Sequence, residues 1–363
     1  MNEPIAHAYA VILAGGRGER FWPLSTAAHP KQFLTLFGGR SLLAQAVERM
    51  EGLIPSERIL IITSRDLVEA TREAATSLPS GNIIGEPMGR DTAAACALAC
   101  ALVSARDPKG VVCILTADQW VADIPGFRQV LADSITLASS RDAVVTIGIR
   151  PSYPATGFGY IEAGDKVDAG TSTRFQLARC FVEKPNAETA AAYVAGGRHF
   201  WNAGMFIWQV STMRHAIERH APHLLKLFHA VESAPPGQET GALDALYPTF
   251  PKISVDFAIM ERLDNIVMAH GDFGWDDVGT WAAAANHLAA DASGNRMVGL
   301  CEAIDAHDNI VVSEDRLTAL FGVSNVVVVH TGNVTLVCDR SRVQDLKELV
   351  KRIGQRPDGA KYV

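Results

Sequence analysis

No apolar run in the 363-residue chain approaches the length of a membrane span. The start, MNEPIAHAYAVILAGG, has neither a basic opening nor a long apolar stretch before its first glycine pair, so it does not read as a signal peptide. Positive charge is also scarce. With 33 Lys and Arg against 40 Asp and Glu the formal net charge is −7, which disfavours a nucleic-acid partner held by broad basic attraction. The six cysteines are scattered; only Cys96 and Cys100 lie close together, and no second pair or nearby histidine completes a zinc site. They read as small core hydrophobes in a reducing compartment, so the chain is expected in the cytoplasm without a membrane partner. His215 and His220 are five apart, a spacing that does not put them on one helix face for chelation.

What remains is an ordinary globular composition, 48% hydrophobic and 20% charged, at a length that favours one large domain with a smaller appendage. Tyr9–Ala14, Ile59–Thr63, Val111–Thr116 and Ala143–Ile147 are short apolar runs that predict buried strands. Between them Ser41–Met50, Asp66–Ser77, Asp91–Ser104 and Phe127–Ala138 have helical spacing, and the alternation predicts a parallel sheet covered on both faces. Ligands of such sheets gather at the carboxyl ends of the strands. After a helical Trp281–Ala290, the stretches Met297–Ile304, Asn309–Val312, Leu317–Phe321, Asn325–His330 and Val334–Cys338 predict closely spaced short strands. A final helix is expected at Ser341–Ile353 behind a Ser cap. The expected division is 1–285 and 286–363, and loss of the second part is expected to alter assembly before chemistry.

The sharpest signal is Leu13-Ala14-Gly15-Gly16-Arg17-Gly18-Glu19-Arg20-Phe21-Trp22-Pro23-Leu24, directly after the first strand. Glycines let backbone N–H groups approach a phosphate chain closely. No GK[ST] follows, so this is not a P-loop, and the third glycine of a dinucleotide fingerprint is missing. Arg20 and then Lys31, in His29-Pro30-Lys31-Gln32-Phe33, add two cations.

LAGG, an arginine five residues after the first glycine of that pair, WPLS and PKQ together resemble the N-terminal signature of the mannose-1-phosphate guanylyltransferases, a branch of the nucleoside-diphosphate-sugar pyrophosphorylases. The resemblance continues through Glu86-Pro87-Met88-Gly89-Arg90-Asp91-Thr92-Ala93, Thr116-Ala117-Asp118-Gln119 and Thr156-Gly157-Phe158-Gly159-Tyr160-Ile161. Further on it takes in Phe181-Val182-Glu183-Lys184-Pro185, Trp201-Asn202-Ala203-Gly204-Met205-Phe206 and Trp275-Asp276-Asp277-Val278-Gly279-Thr280-Trp281. Glu19, Asp91 and Ala203 depart from the usual threonine, asparagine and serine, and no role is assigned to Glu19. Long forms of the family carry an isomerase domain after the transferase; the length read here leaves no room for one, so a short form is expected.

The resemblance implies a Rossmann-like α/β nucleotidyltransferase fold with a mixed central sheet. The β-rich C-terminal unit would follow, a short left-handed β-helix fragment being one form open to it. It implies attack by mannose 1-phosphate on the α-phosphorus of GTP, giving GDP-mannose and diphosphate with Mg²⁺ or Mn²⁺. The nucleophile is already an anion, so alignment and neutralisation of charge matter more than a general base. Arg20 and Lys31 would be catalytic. Leu13, Ala14, Gly15, Gly16, Gly18, Glu86, Thr92 and Asp118 would hold the nucleotide, and Asp118 and Asp277 the metal, with Asp276 as a supporting or capping residue. Gly157, Gly159, Glu183, Lys184 and Asn202 would hold the sugar phosphate, Asn202 offering both donor and acceptor to hydroxyls. Glu86 is acceptor-only and suits the adjacent N1–H and N2 donors of guanine; the alternative is an ion pair with Arg90, four residues on. A homodimer is expected. Rival readings are the same chemistry on another NTP or hexose 1-phosphate, a non-catalytic nucleotide-sugar-binding regulatory subunit, and, disfavoured by the missing fingerprint, a dehydrogenase.

Overall fold

The apolar run after the short N-terminal turn forms strand β1 (Ala8–Ala14), in which only Leu13 is less than fully buried. Burial on both faces is why that run shows no alternation. The computed structural model describes residues 3–16, 19–235 and 237–363. β1 is joined by β2 (Ile59–Ser64), β3 (Ile83–Glu86) and β4 (Val111–Thr116) in a parallel half-sheet ordered β3-β2-β1-β4. Two-residue strands β5 (Trp120–Val121) and β11 (Trp275–Asp276) lie outside the large sheet. The other half comprises β6 (Val144–Ile149), β7 (Tyr160–Val167), β8 (Phe175–Val182), β9 (His199–Gln209) and β10 (Ile266–Gly271). β9 enters antiparallel between β4 and β6, β10 runs parallel to β6, and β8 and β7 close the edge antiparallel, giving a mixed nine-stranded sheet.

The helix Asp91–Arg106 is buried continuously from Ala93 to Val103. Alanines and cysteines there are small enough for the helix to be packed from every side, where larger residues would need one exposed face. Cys96 and Cys100 belong to this core, with Trp208 Nε1 donating to Cys100 Sγ at 3.1 Å. These two and Cys113 are buried hydrophobes, as the sequence suggested, whereas Cys180 is exposed and Cys301 and Cys338 are half-buried.

The chain divides into two compact units that interleave along the sequence: Met1–Gly15, Ala46–Ala117 and Val121–Trp275 form one, Gly16–Gln45, Asp118–Trp120 and Asp276–Val363 the other. A single cut near residue 286 follows the change of texture along the chain, but packing gathers two earlier segments with the C-terminal residues. In this second unit Phe21, Trp22, Leu34 and Phe37 share one core with Val278, Trp281, Ile310, Val312, Val327, Val329 and Leu336. Its sheet is β12 (Arg296–Ile304), β13 (Ile310–Phe321), β14 (Val326–Thr331) and β15 (Val334–Asp339), parallel through the first three and antiparallel at the last.

Three local expectations change. The runs 309–312 and 317–321 are one strand, β13, because the polar residues between them stay in the sheet. Asp339, not Ser341, caps the C-terminal helical segment: its carboxylate accepts from the Ser341 amide, a 3-10 turn follows, and the α-helix proper is Leu346–Gly354. The helix after Thr280 stops at Ala285.

Candidate active site

The second unit contains a lysine–carboxylate cluster. Lys31 opens a 3-10 turn behind Pro30 and is 7% exposed. Its ammonium donates to Asp118 Oδ2 at 3.0 Å and to the Asp277 carbonyl oxygen at 2.5 Å. Among the described residues two of its three protons are thus committed within the protein. Burial pushes the Asp277 carboxyl up to about 6; Lys31 opposes that shift, while Asp276 and Asp118 add to it. Asp276 is a support: it accepts from the Val278 amide at 2.7 Å and pairs with His287 Nε2 at 2.9 Å. Val278 is held at φ 47, a conformation a β-branched residue rarely adopts, directly after Asp277. Arg20 is half-buried in the turn Glu19–Phe21 of the same unit. Gly16 is exposed, with open space where a Cβ would stand, so only a ligand would demand glycine there. Gly18 lies outside the described residues.

In the first unit, Leu13 and Ala14 end β1 and Gly15 is exposed beyond them. The Leu13 and Ala14 carbonyls accept from the Ala117 amide and the Thr63 hydroxyl, which fixes where the loop departs. Glu86 is the last residue of β3. It is 9% exposed, accepts from the Tyr247 hydroxyl at 2.9 Å, and burial raises its carboxyl to about 7. Arg90 does not pair with it: the guanidinium donates to the carbonyls of Tyr247 (2.8 Å) and Pro248 (3.1 Å). Thr92 follows Asp91, whose φ is 63, and its hydroxyl accepts from the Val255 amide at 2.8 Å, tying down another segment.

A third group, also in the first unit, surrounds Asn202 on β9. Lys184 sits at φ 49 just after β8 and donates to Glu183 Oε1 at 2.6 Å. Gly159 is buried, and a Cβ there would stand 2.4 Å from Glu183 Oε2, so any larger residue would push that carboxylate from its present place. Gly157 is exposed with open space around it. The Lys184 amide bonds the Phe158 carbonyl (3.2 Å) and the Asn202 amide bonds the Gly159 carbonyl (2.8 Å), so these motifs share one surface. Trp201 packs edge-on to Tyr153 (4.9 Å between centroids) and Phe158 (5.1 Å), and Phe158 reaches Trp275 (5.6 Å).

Asn202 is largely engaged within the protein, which leaves one Nδ2 proton as its hydrogen-bonding capacity toward a ligand. Its Oδ1 already accepts from the Thr146 hydroxyl (2.9 Å) and the Gly204 amide (3.1 Å), and Nδ2 donates to Asp256 Oδ1 (3.2 Å). No acceptor capacity is left for a ligand. Asp256 and Tyr247 are residues that sequence reasoning missed. Ser254, whose side chain caps the helical turn Val255–Ala258, marks only a helix start. Nothing in the local pattern points to either partner.

Among the described residues no group of three or more His, Cys, Asp and Glu stands together as a metal-holding cluster. Two carboxylates with hard oxygens nevertheless fit a Mg²⁺ ion, which takes one or two carboxylates and fills the rest of its shell from phosphate and water. A half-buried Asp277 resisting ionisation beside Asp118 is the electrostatic state that a cation relieves.

Comparison with known proteins agrees with this chemistry. A family model described as nucleotidyl transferase matches residues 9–293, and one described as a MannoseP isomerase/GMP-like beta-helix domain matches 301–353. The mannose-1-phosphate guanylyltransferase of Escherichia coli (strain K12) is 36% identical over 352 residues, covering 95% of this chain and 73% of that protein. The chain belongs to the mannose-1-phosphate guanylyltransferase family. A relative of the same description from Klebsiella pneumoniae is also 36% identical, covering 95% of this chain and 74% of its own length. The crystal structure of a protein from Thermus thermophilus, described as mannose-1-phosphate geranyltransferase, superposes with a TM-score of 0.85 at 34% identity over 96% of this chain and 99% of that one. The chain is therefore an enzyme of nucleotidyl transfer, with an α/β transferase domain and a C-terminal β-helix-like domain.

Proposed function

We propose that the enzyme converts GTP and α-D-mannose 1-phosphate to GDP-mannose and diphosphate. A sugar-phosphate oxygen attacks the α-phosphorus in line, the α–β phosphoanhydride bond breaks, and diphosphate leaves with its electron pair. The observation that carries the reading is the buried Lys31 committed to Asp118 and Asp277. A buried cation poised beside two carboxylates suits a reaction in which negative charge must be aligned and neutralised. Arg20 adds a second cation for the departing diphosphate.

Asp118 and Asp277 would hold Mg²⁺ or Mn²⁺, which when bound supplies further neutralisation of phosphate charge. Glu86 supports guanine as the base: its buried carboxylate accepts hydrogen bonds, and guanine brings the N1–H and N2 donor pair. Glu183 and Lys184 suit the sugar phosphate, the ammonium toward phosphate and the carboxylate toward hydroxyls. A homodimer is supported by apolar side chains left exposed on β12, β13 and β15, namely Leu300, Ile304, Leu317, Phe321 and Val337, with Ile304 opposite Phe321 in the ladder. Phe321→Asp should lower the mass seen by sedimentation; an unchanged mass would remove that face from the interface. No helix among the described residues is long and apolar enough to cross a membrane.

The test is diphosphate release from each of the four common NTPs against a panel of hexose 1-phosphates, with and without EDTA. GTP with mannose 1-phosphate should be fastest and EDTA should abolish it. Another preferred pair would move the substrate assignment. Release from no pair would favour a binding protein, and a rate indifferent to EDTA would remove the metal.

A further inference from the structure

Asn202, with its carbonyl oxygen saturated and one Nδ2 proton on Asp256, cannot accept from a sugar hydroxyl and keeps one Nδ2 proton to donate. The acceptors left in that cluster are carboxylate oxygens. Glu183 gives Oε1 to Lys184, and Asp256 gives Oδ1 to Asn202. Among the described residues no side-chain donor reaches Glu183 Oε2 or Asp256 Oδ2. Asp256 is half-buried, and Asn202 Nδ2 at 3.2 Å is its one side-chain donor among the described residues, beside a bond from its own amide, so its carboxylate keeps acceptor capacity that a hydroxyl donor can fill.

We infer that Asp256 binds the hexose: with Glu183 it forms a two-carboxylate edge that accepts hydroxyl protons of the sugar ring, while Asn202 is the positioning residue that holds Asp256. This rests on the sugar-phosphate reading given above. Burial first, and the charge on Glu183 second, push the Asp256 carboxyl up to about 6 against a hydrogen bond from its own amide. Hydroxyls are the donor class that fits. A phosphate would be repelled by the carboxylates and is directed instead to the Lys184 ammonium, whose own charge lowers the Asp256 carboxyl in turn. The Asp256 segment is anchored independently, since the Thr92 hydroxyl accepts from the Val255 amide and the Ser254 hydroxyl from the Phe257 amide. Its position therefore does not depend on Asp256 itself.

The experiment compares wild type and Asp256→Asn with mannose 1-phosphate and its monodeoxy analogues, at saturating and limiting GTP. The expected result is a KM for mannose 1-phosphate raised about tenfold or more with the KM for GTP unchanged, as when a site loses its match to a substrate hydroxyl. One deoxy analogue should lose as much on wild type and nothing further on Asp256→Asn. Asn202→Ala should raise the sugar KM and add little to Asp256→Asn in the double variant. If Asp256→Asn does not fold, Asp256→Ser carries the same comparison. An unchanged sugar KM, equal effects on GTP and sugar, or penalties that add for every analogue would overturn the inference. So would a metal requirement of sugar binding that disappears in the variant, since Asp256 would then hold a cation. Absence of turnover by wild type on any hexose 1-phosphate would instead condemn the sugar-phosphate reading beneath it.

Discussion

Glu86 joins two observables that other carboxylates keep apart, because its carboxyl is raised to about 7 within the range where the enzyme can be assayed. On the proposed guanine contact, only its ionised form would accept both donors. The KM for GTP should therefore rise as pH falls through about 7, by roughly tenfold between pH 8 and pH 6, as expected for one titrating group. Glu86→Gln should flatten that profile and narrow the preference for GTP over other NTPs; an equally steep profile in the variant would place the titration elsewhere. Stability moves the other way. A raised carboxyl contributes stability that is full below its unfolded value, near 4.5, and is lost as pH rises through about 7. Nucleotide-free Glu86→Gln should thus melt higher than wild type at pH 8 and not at pH 4. Lys31 makes a different prediction. With two protons held by Asp118 and Asp277, its removal should both unbalance those carboxylates and strip charge from the transition state. Lys31→Ala and Arg20→Ala should each lower turnover by about 10² to 10³ with smaller changes in substrate KM. Near wild-type turnover would exclude the residue from the mechanism.

At the scale of elements, motifs that read as chemistry prove to be places where the backbone is bent to an unusual shape. Asp91, Lys184 and Val278 all have positive φ, each inside one of the family-like blocks. Elsewhere positive φ serves packing. Gly299 lies at φ +89 where β12 shifts register against β13, and a Cβ there would stand 1.8 Å from the Ser313 carbonyl oxygen. Gly299→Ala should force the two strands apart and cost at least about 1–3 kcal/mol from backbone strain alone, read as a lowered denaturation midpoint. An unchanged midpoint would mean that the ladder there yields freely.

For the whole molecule, interleaving of the two units along the chain changes what truncation should do. Removing 286–363 takes Ile310, Val312, Val327, Val329 and Leu336 away from Phe21, Trp22 and Phe37, which share their core. The segment carrying Arg20 and Lys31 would then lose its packing. Turnover should disappear together with protease resistance of that segment, whereas the sequence alone suggested altered assembly first. A soluble, fully active truncation would show that residues 16–45 are held by other means.

The strands and the helix Asp91–Arg106 were legible in the sequence, because periodicity and turn residues act over a few positions at a time. The mixed sheet could be expected, but the antiparallel entry of β9 between β4 and β6 could not be derived locally. The same limit applies to partners. Glu86 meets Tyr247 across 161 positions, Lys31 meets Asp277 across 246, and Asn202 meets Asp256 across 54. Sequence established that Asn202 and Glu86 carry groups able to read hydroxyls and a base. Tertiary structure decided that the acceptor of Asn202 is already occupied, that Arg90 turns to carbonyls instead of Glu86, and that the Asp256 carboxylate stands in a place local reading left empty. A side chain's type fixes what bonds it can make, but only the folded chain decides which of them its neighbours have already taken.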